Sequence, residues 1–205
     1  MDNGLYKVRF ETPRGNGTGV VVLMDGQLWG GDCTVLVSPP SWAHHGHPGR
    51  TALETAAKNP DCPPAVLGYL SGYPDPGVRR GVAGNPSCPP TILGHLGRSG
   101  DAETRDAVAN NTSSPPETLE TLSQDDNQNV VYDAARNPSC PPDTLEQLSS
   151  HYSMRVRWRV ADNHSSPPDT LARLLRDDEI WVSMAAARNP HLPRATLAMW
   201  QLAQL

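Results

Sequence analysis

Leucines and small residues recur along most of this chain at one fixed interval. An Asn marks each recurrence, at Asn59, Asn85, Asn111, Asn137, Asn163 and Asn189, with the same 26-residue step between each and the next. Taking each Asn as position 0, position 8 is Leu67, Leu93, Leu119, Leu145, Leu171 and Leu197. Position 11 is Leu70, Leu96, Leu122, Leu148, Leu174 and Trp200. An i, i+3 apolar pair makes a single stripe on a short helix of two to three turns. Position 3 is Cys62, Cys88, Ser114, Cys140, Ser166 or Leu192, and Pro always follows. A small polar residue before Pro predicts a helix start, with position 3 as the N-cap and Pro at the first helical position.

A second helix is predicted from position 16, where Asp75, Asp101, Asn127 and Ser153 are good N-caps and Glu179 a weak one. Positions 19, 23 and 24 form its inward stripe, from Val78, Val82 and Ala83 to Val182, Ala186 and Ala187. Position 24 is Ala in every unit, which predicts a close approach between helices. ALETAAK (Ala52 to Lys58) has the same inward Ala pair, so it reads as a second helix without a first, and the repeat begins near Thr51. A period of this length signals stacked supersecondary units. The fold class is mainly α: a solenoid of helix pairs over residues 51–205, a half unit followed by about five and a half units. The Asn persists at Asn111 and Asn163, which no Pro follows, so its role is assigned to the side-chain amide satisfying backbone groups at the turn.

The first 38 residues follow a different period. Residues 5–11 and 18–24 read as strands broken apart by Pro13, Gly15 and Gly17. Asp25-Gly26 signals a tight turn into a strand over Gln27 to Trp29, and Cys33–Val37 completes a small antiparallel meander. Residues 39–50 are rich in Pro, Gly and His and read as a linker. Its His44, His45 and His47 have a spacing that can bind a transition metal, but no Cys or acidic pair flanks them, so they are assigned to a solvated connector.

Composition narrows the picture further. Only 37% of the 205 residues are hydrophobic, with a single Phe, which suits thin layers buried between units better than one large core. The 21 prolines are periodic, which argues against a disordered chain. A net charge of −5 disfavours non-specific nucleic-acid and membrane-surface binding. With no apolar run of a signal peptide or membrane span, and four cysteines that read as reduced thiols, the expected location is cytoplasmic.

Two resemblances follow. The order Gly4, Tyr6, Gly17, Gly19, Asp25, Gly26, Gly30, Gly31, Asp32 resembles the opening strands of GrlR-type β-barrel proteins, negative regulators of bacterial type III secretion. It covers roughly 35 residues and gives way to SPPSWAHHGHPGR, where that family continues into further barrel strands. The phrase N-P-x-C-P-P-x-x-L-x-x-L, followed by Val78, Arg79, Val82, Ala83 and Asn85, is similar to the leucine-rich repeat variant family. That resemblance implies a right-handed superhelix of paired short helices, one of each pair often 3₁₀ in character. Some of its members carry an N-terminal cysteine cluster for an iron–sulfur centre; here only Cys33 lies upstream of the repeats.

No catalytic, cofactor-binding or metal-binding constellation is found. Equivalent cysteines in adjacent units would stand about 8–10 Å apart, beyond the ~7 Å reach of a disulfide. Cys62, Cys88 and Cys140 are therefore assigned to structure, although a helix N-terminus can lower a thiol pKa and leaves one reactive Cys open. The acidic clusters at 125–126 and 177–179 are read as compensating helix dipoles. Candidate partner-binding residues are Arg79, Arg105, Arg155, Arg157 and Trp158, because arginines around a Trp are enriched in binding hot spots. The expected function is a non-enzymatic scaffold for a protein partner, with a regulatory role left open. A metal- or iron–sulfur-linked redox protein and a nucleic-acid-binding repeat are the alternatives. The apolar ending ATLAMWQLAQL, with Trp200, Leu202 and Leu205, is a candidate surface for a partner or self-association.

Overall fold

Proline starts the first helix of each pair because its fixed φ suits a first turn and its missing N–H is not needed there. The computed structural model describes residues 4–12, 15–24, 27–29 and 48–203, with side chains described from residue 53 to residue 203. Three strands, β1 (Gly4–Thr12), β2 (Gly15–Met24) and β3 (Gln27–Trp29), form an antiparallel sheet in the order β1-β2-β3. Pairing runs from Gly4↔Leu23 to Thr12↔Gly15, so Gly15 and Gly17 lie within β2. The sequence pattern has them break the strands apart instead. Backbone pairing with Thr12 and Phe10 holds them in the ladder, which needs no side chain. The expected strand over Cys33–Val37 and the histidines His44, His45 and His47 lie outside the described residues.

Twelve helices follow among the described residues: α1 (Pro48–Lys58), α2 (Pro64–Ser71), α3 (Pro76–Ala83), α4 (Pro90–Leu96), α5 (Ala102–Asn110), α6 (Pro116–Leu122), α7 (Gln128–Arg136), α8 (Pro142–Leu148), α9 (Met154–Asp162), α10 (Pro168–Leu174), α11 (Ile180–Arg188) and α12 (Arg194–Leu202). They alternate between first and second helices with the sequence period, as a helical-repeat solenoid requires. All twelve are α-helices rather than the 3₁₀ and α pairs that the resemblance implies; i→i−3 bonds are confined to helix ends, such as Val66 N–H to Pro63 O and Thr118 N–H to Pro115 O. Helix α1 opens at Pro48, three residues before the expected start, by the same proline rule that opens the later first helices.

The N-cap of the first helix is one residue later than expected. Pro63, Pro115, Pro141 and Pro167 occupy it with φ near −60°, and the helix begins at the second Pro. Position 3 is instead buried and turned back towards the preceding helix. The Ser114 hydroxyl donates to Val108 O at 2.6 Å and the Ser166 hydroxyl to Val160 O at 2.5 Å, as a second donor to carbonyls that also accept the Asn111 and Asn163 N–H at the helix end. Cys88 and Cys140 fill the same slot, and burial pushes their thiols up to about 11 and about 12. Both stay protonated near neutral pH, against the lowered pKa that a helix N-terminus would supply.

The chain divides into two compact units, residues 1–92 and 93–205. In the first, α1 packs on α3. A Cβ at Gly81 would stand 2.9 Å from the Ala57 Cβ and 3.4 Å from Glu54 O, so these helices touch along a strip of small residues. In the second, α5, α7, α9 and α11 pack side by side in one row, and α6, α8 and α10 each rest on the following second helix. The Leu of positions 8 and 11 are buried throughout from Leu67 to Leu174. Position 7 is a further buried column, Thr118, Thr144 and Thr170, that its polar residue type concealed. Leu197 and Trp200 are only half-buried, because no second helix follows α12 among the described residues.

The recurrent Asn joins successive turns. The Asn163 amide donates to Ala135 O at 2.8 Å and Asn137 O at 3.0 Å, and its Oδ1 accepts the Ser165 N–H at 2.8 Å. Asn137 does the same to Ala109 O, Asn111 O and the Ser139 N–H, and Asn189 to Ala161 O, Asn163 O and the His191 N–H. In the first unit Asn85 reaches Ala57 O and Asn59 O, both at 2.7 Å. Asn85, Asn137, Asn163 and Asn189 thus each donate to two carbonyls at the end of the preceding second helix and accept one N–H of their own turn.

Candidate functional site

Among the described residues, no group of three His, Cys, Asp or Glu side chains is placed to hold a metal ion, and no helix is long and apolar enough to cross a membrane. The candidate arginines fall into two sets. Position 20 faces the turn before its own helix. Arg157 donates from Nη1 to His151 O at 2.9 Å and Tyr152 O at 3.2 Å, and from Nε and Nη2 to Asp177 at 2.7 and 2.9 Å. Arg105 donates to Ser99 O and, at 2.6 and 2.9 Å, to Asp125. In the first unit Arg79 donates to Tyr73 O and Pro74 O.

The acidic partners are more than dipole compensation. Asp125 and Asp177 stand at position 14 of the following unit and accept their own turn's N–H from Asn127 and Glu179. Burial raises both carboxyls, but the arginine hydrogen bonds, the backbone N–H and the guanidinium charge outweigh it and leave them below the usual range. Ser99 and His151 fill position 14 elsewhere and accept the same N–H. This acceptor column was legible as a recurrence, at the repeat interval, of groups able to accept, but its residue types differ too much to stand out.

Arg155 and Trp158 lie on the other side of α9. Position 18 reads Glu103, Asn129, Arg155 and Trp181 from α5 to α11, and position 21 reads Asp106, Tyr132, Trp158 and Met184. The guanidinium carbons of Arg155 and Arg159 sit 4.9 and 4.6 Å from the Tyr132 ring centre, and Arg159 also lies 4.3 Å from that of Trp158. These are cation–π distances. Trp181 is 62% exposed on the next helix. Sequence reasoning misses Tyr132, although it sees Arg159 among the three arginines around Trp158; the signal for Tyr132 is that it and Trp158 stand one repeat apart. Across the four helices these two columns grade from acidic through aromatic to basic and then apolar.

At the acidic end Asp106 meets Asp133. Burial, the hydrogen bond to Asp133 and the neighbouring charges of Asp133 and Glu103 push the Asp106 carboxyl from its ordinary 3.8 up to about 6. Its Oδ1 has no hydrogen-bond partner, and Asp133 also accepts from the Asn110 amide. A carboxyl whose folded pKa is raised binds more protons folded than unfolded, so it favours folding at low pH and loses that advantage as pH rises from about 4 to about 6. Asp106→Asn should therefore raise stability at pH 7 by about 1 kcal/mol. It should also remove this component of the pH dependence, which urea titrations at pH 4.5 and 7 measure.

Residues 52–112 match the family model described as the Leucine Rich Repeat Variant domain. No curated protein matches the chain, and with the family match beginning at residue 52 the resemblance of the N-terminal strands to GrlR-type barrels has no match of its own. One similar solved structure is described as a leucine-rich repeat variant with a novel repetitive structural motif. It is 21% identical, with a TM-score of 0.55 over 78% of this chain and 68% of that one. Two engineered proteins are similar at 19% identity: one at a TM-score of 0.47 (74% of this chain, 91% of that chain), the other at 0.44 (76% and 57%). The chain has the helical-repeat fold of a leucine-rich repeat variant, and its residues 52–112 carry that family's sequence pattern.

Proposed function

We propose that this protein is a non-enzymatic scaffold that binds a protein partner through the second-helix face of residues 93–205. The observation that carries the reading is the Tyr132, Arg155, Trp158 and Arg159 cluster beside exposed Trp181. Arginine and large aromatics are enriched at hot spots, and stacking on Tyr132 already restricts both arginines before a partner binds. Asp106, Asp133 and Glu103 on the same face weigh against a phosphate backbone lying along it, as does the net charge of −5. The N-terminal strands are a second contact or a cap in this reading. Quantitative mass spectrometry of proteins captured by the full chain tests it, against an Arg155→Ala/Trp158→Ala variant that leaves the Arg157 turn intact. A protein retained by the parent and lost from the variant is the expected result. Identical capture by both places any binding elsewhere.

A further inference from the structure

The charge gradient specifies what kind of segment this face accepts, given that it is the binding face. Arg155 is exposed and has no ion-pair partner among the described residues. Arg159 has one loose pair, 3.7 Å from an exposed Asp162 carboxylate, and its Nε has no acceptor. Ring stacking covers guanidinium faces and leaves the N–H edges free to donate. Arg155 therefore offers an exposed N–H edge to a carboxylate, and Arg159, whose Nε is buried, adds its positive charge beside it. One helix further on, Trp181 and Met184 present apolar surface at the same two repeat positions, 18 and 21, as Arg155 and Trp158. Asp133, one helix back on α7, and Asp106, two back on α5, repel an anion.

We propose that α9 and α11 hold an extended peptide with an Asp or Glu on Arg155 and Arg159 and a large apolar side chain on Trp181 and Met184. Neighbouring helices pack about 8–10 Å apart and an extended chain advances about 3.3 Å per residue. The acidic and apolar residues therefore stand about three positions apart in the peptide. The carboxylates on α5 and α7 set its direction, because an acidic residue displaced towards them loses the arginines and meets like charge. A single-stranded nucleic acid shares the aromatic and cationic contacts but must end within one helix spacing of Asp133.

The test is selection of a displayed random dodecapeptide library on the full chain, followed by affinity measurements on one enriched synthetic peptide. The expected peptides carry Asp or Glu two to four residues from a large apolar residue. The chosen peptide should bind Arg155→Glu at least about tenfold more weakly and recover when its own acidic residue becomes Lys. Binding unchanged by Arg155→Glu, or failure of the charge swap to recover it, overturns the proposal. So does displacement of the peptide by polyuridylate at equal charge concentration. Peptides that depend on Trp158 but carry no acidic residue sink this proposal alone. Absence of any Trp158-dependent binder sinks the scaffold reading with it. Melting curves of Arg155→Glu that match the parent keep loss of fold out of the comparison.

Discussion

Asn163→Asp should destabilise the helical stack by about 4 kcal/mol at pH 7, although it exchanges one NH2 for one oxygen. The Asn163 amide is the donor to Ala135 O and Asn137 O, and the residue is nearly inaccessible to water. Ala135 O lies in the last turn of α7, where a helix has no donors of its own left, and Asn137 O belongs to its C-cap residue, where it also accepts the Cys140 N–H. The substitution removes both donors and sets a carboxylate against two carbonyl oxygens in a buried site, which adds a charge penalty to the loss of hydrogen bonds. Asn163→Ala leaves the same carbonyls without that donor and the Ser165 N–H without its acceptor, but adds no charge, so about 2–3 kcal/mol is expected. The two variants should differ in pH dependence. A carboxyl in that site has a folded pKa above its unfolded value, so the extra penalty of Asp over Ala is complete at neutral pH. It disappears as pH falls below about 4, where the carboxyl is protonated in both states. Urea denaturation followed by circular dichroism at pH 7 and pH 4 measures this. A pH-independent difference would mean that the side chain swings out to solvent.

Arg157→Ala should cost about 3 kcal/mol, through the carboxylate it strands. Arg155→Ala, two positions away, should cost no more than about 0.5 kcal/mol, the range of an ordinary surface substitution. Arg157 and Asp177 form a two-point pair with side chains only 17% and 8% exposed, and Arg157 also holds two turn carbonyls. Removing it leaves a buried carboxylate without its cation, the costly way to break such a pair. Arg155 stands exposed on the outer face and stacks only on Tyr132. Acid reveals the difference again. Because the folded Asp177 pKa is lowered, its contribution is present above the ordinary carboxylate range and is lost as pH falls through the folded pKa. The gap between the parent and Arg157→Ala should narrow there, and Arg155→Ala should follow the parent at every pH. Equal losses for the two variants would show that the pair adds no net stability.

That contrast explains why a binding surface was only half legible. Arg155, Val156, Arg157, Trp158 and Arg159 are contiguous, and the sequence pattern groups Arg155, Arg157 and Trp158 as one candidate. On a helix, residues two apart point in different directions. What separates the arginines, however, is the neighbour each one meets. Arg157 meets Asp177 and Arg105 meets Asp125, each in the next unit, whereas Arg155 and Arg159 meet an aromatic ring on the helix behind. The same Arg-to-Asp interval thus occurs twice in the chain, but only the packing of α5 on α7 and of α9 on α11 says that the two residues of each pair are adjacent in space.

The period, the pairing of short helices, the buried leucine and alanine columns and the role of the recurrent Asn can all be read from residue order. They follow from local spacing: a 26-residue repeat with prolines, caps and a 3.6-residue stripe has few ways to bury its apolar side. What each remaining polar side chain touches came from packing instead. Position 3 illustrates it: Ser114 before Pro-Pro has the form of an N-cap, yet the proline takes the cap and the serine hydroxyl turns back to a carbonyl of the previous helix. Asp106 illustrates it again, since its pKa is raised by burial and by Asp133, one helix over in the next unit. Hydrogen bonds and charges act over a few ångströms, and in a stacked repeat the groups within that range belong to the next unit as often as to the same one.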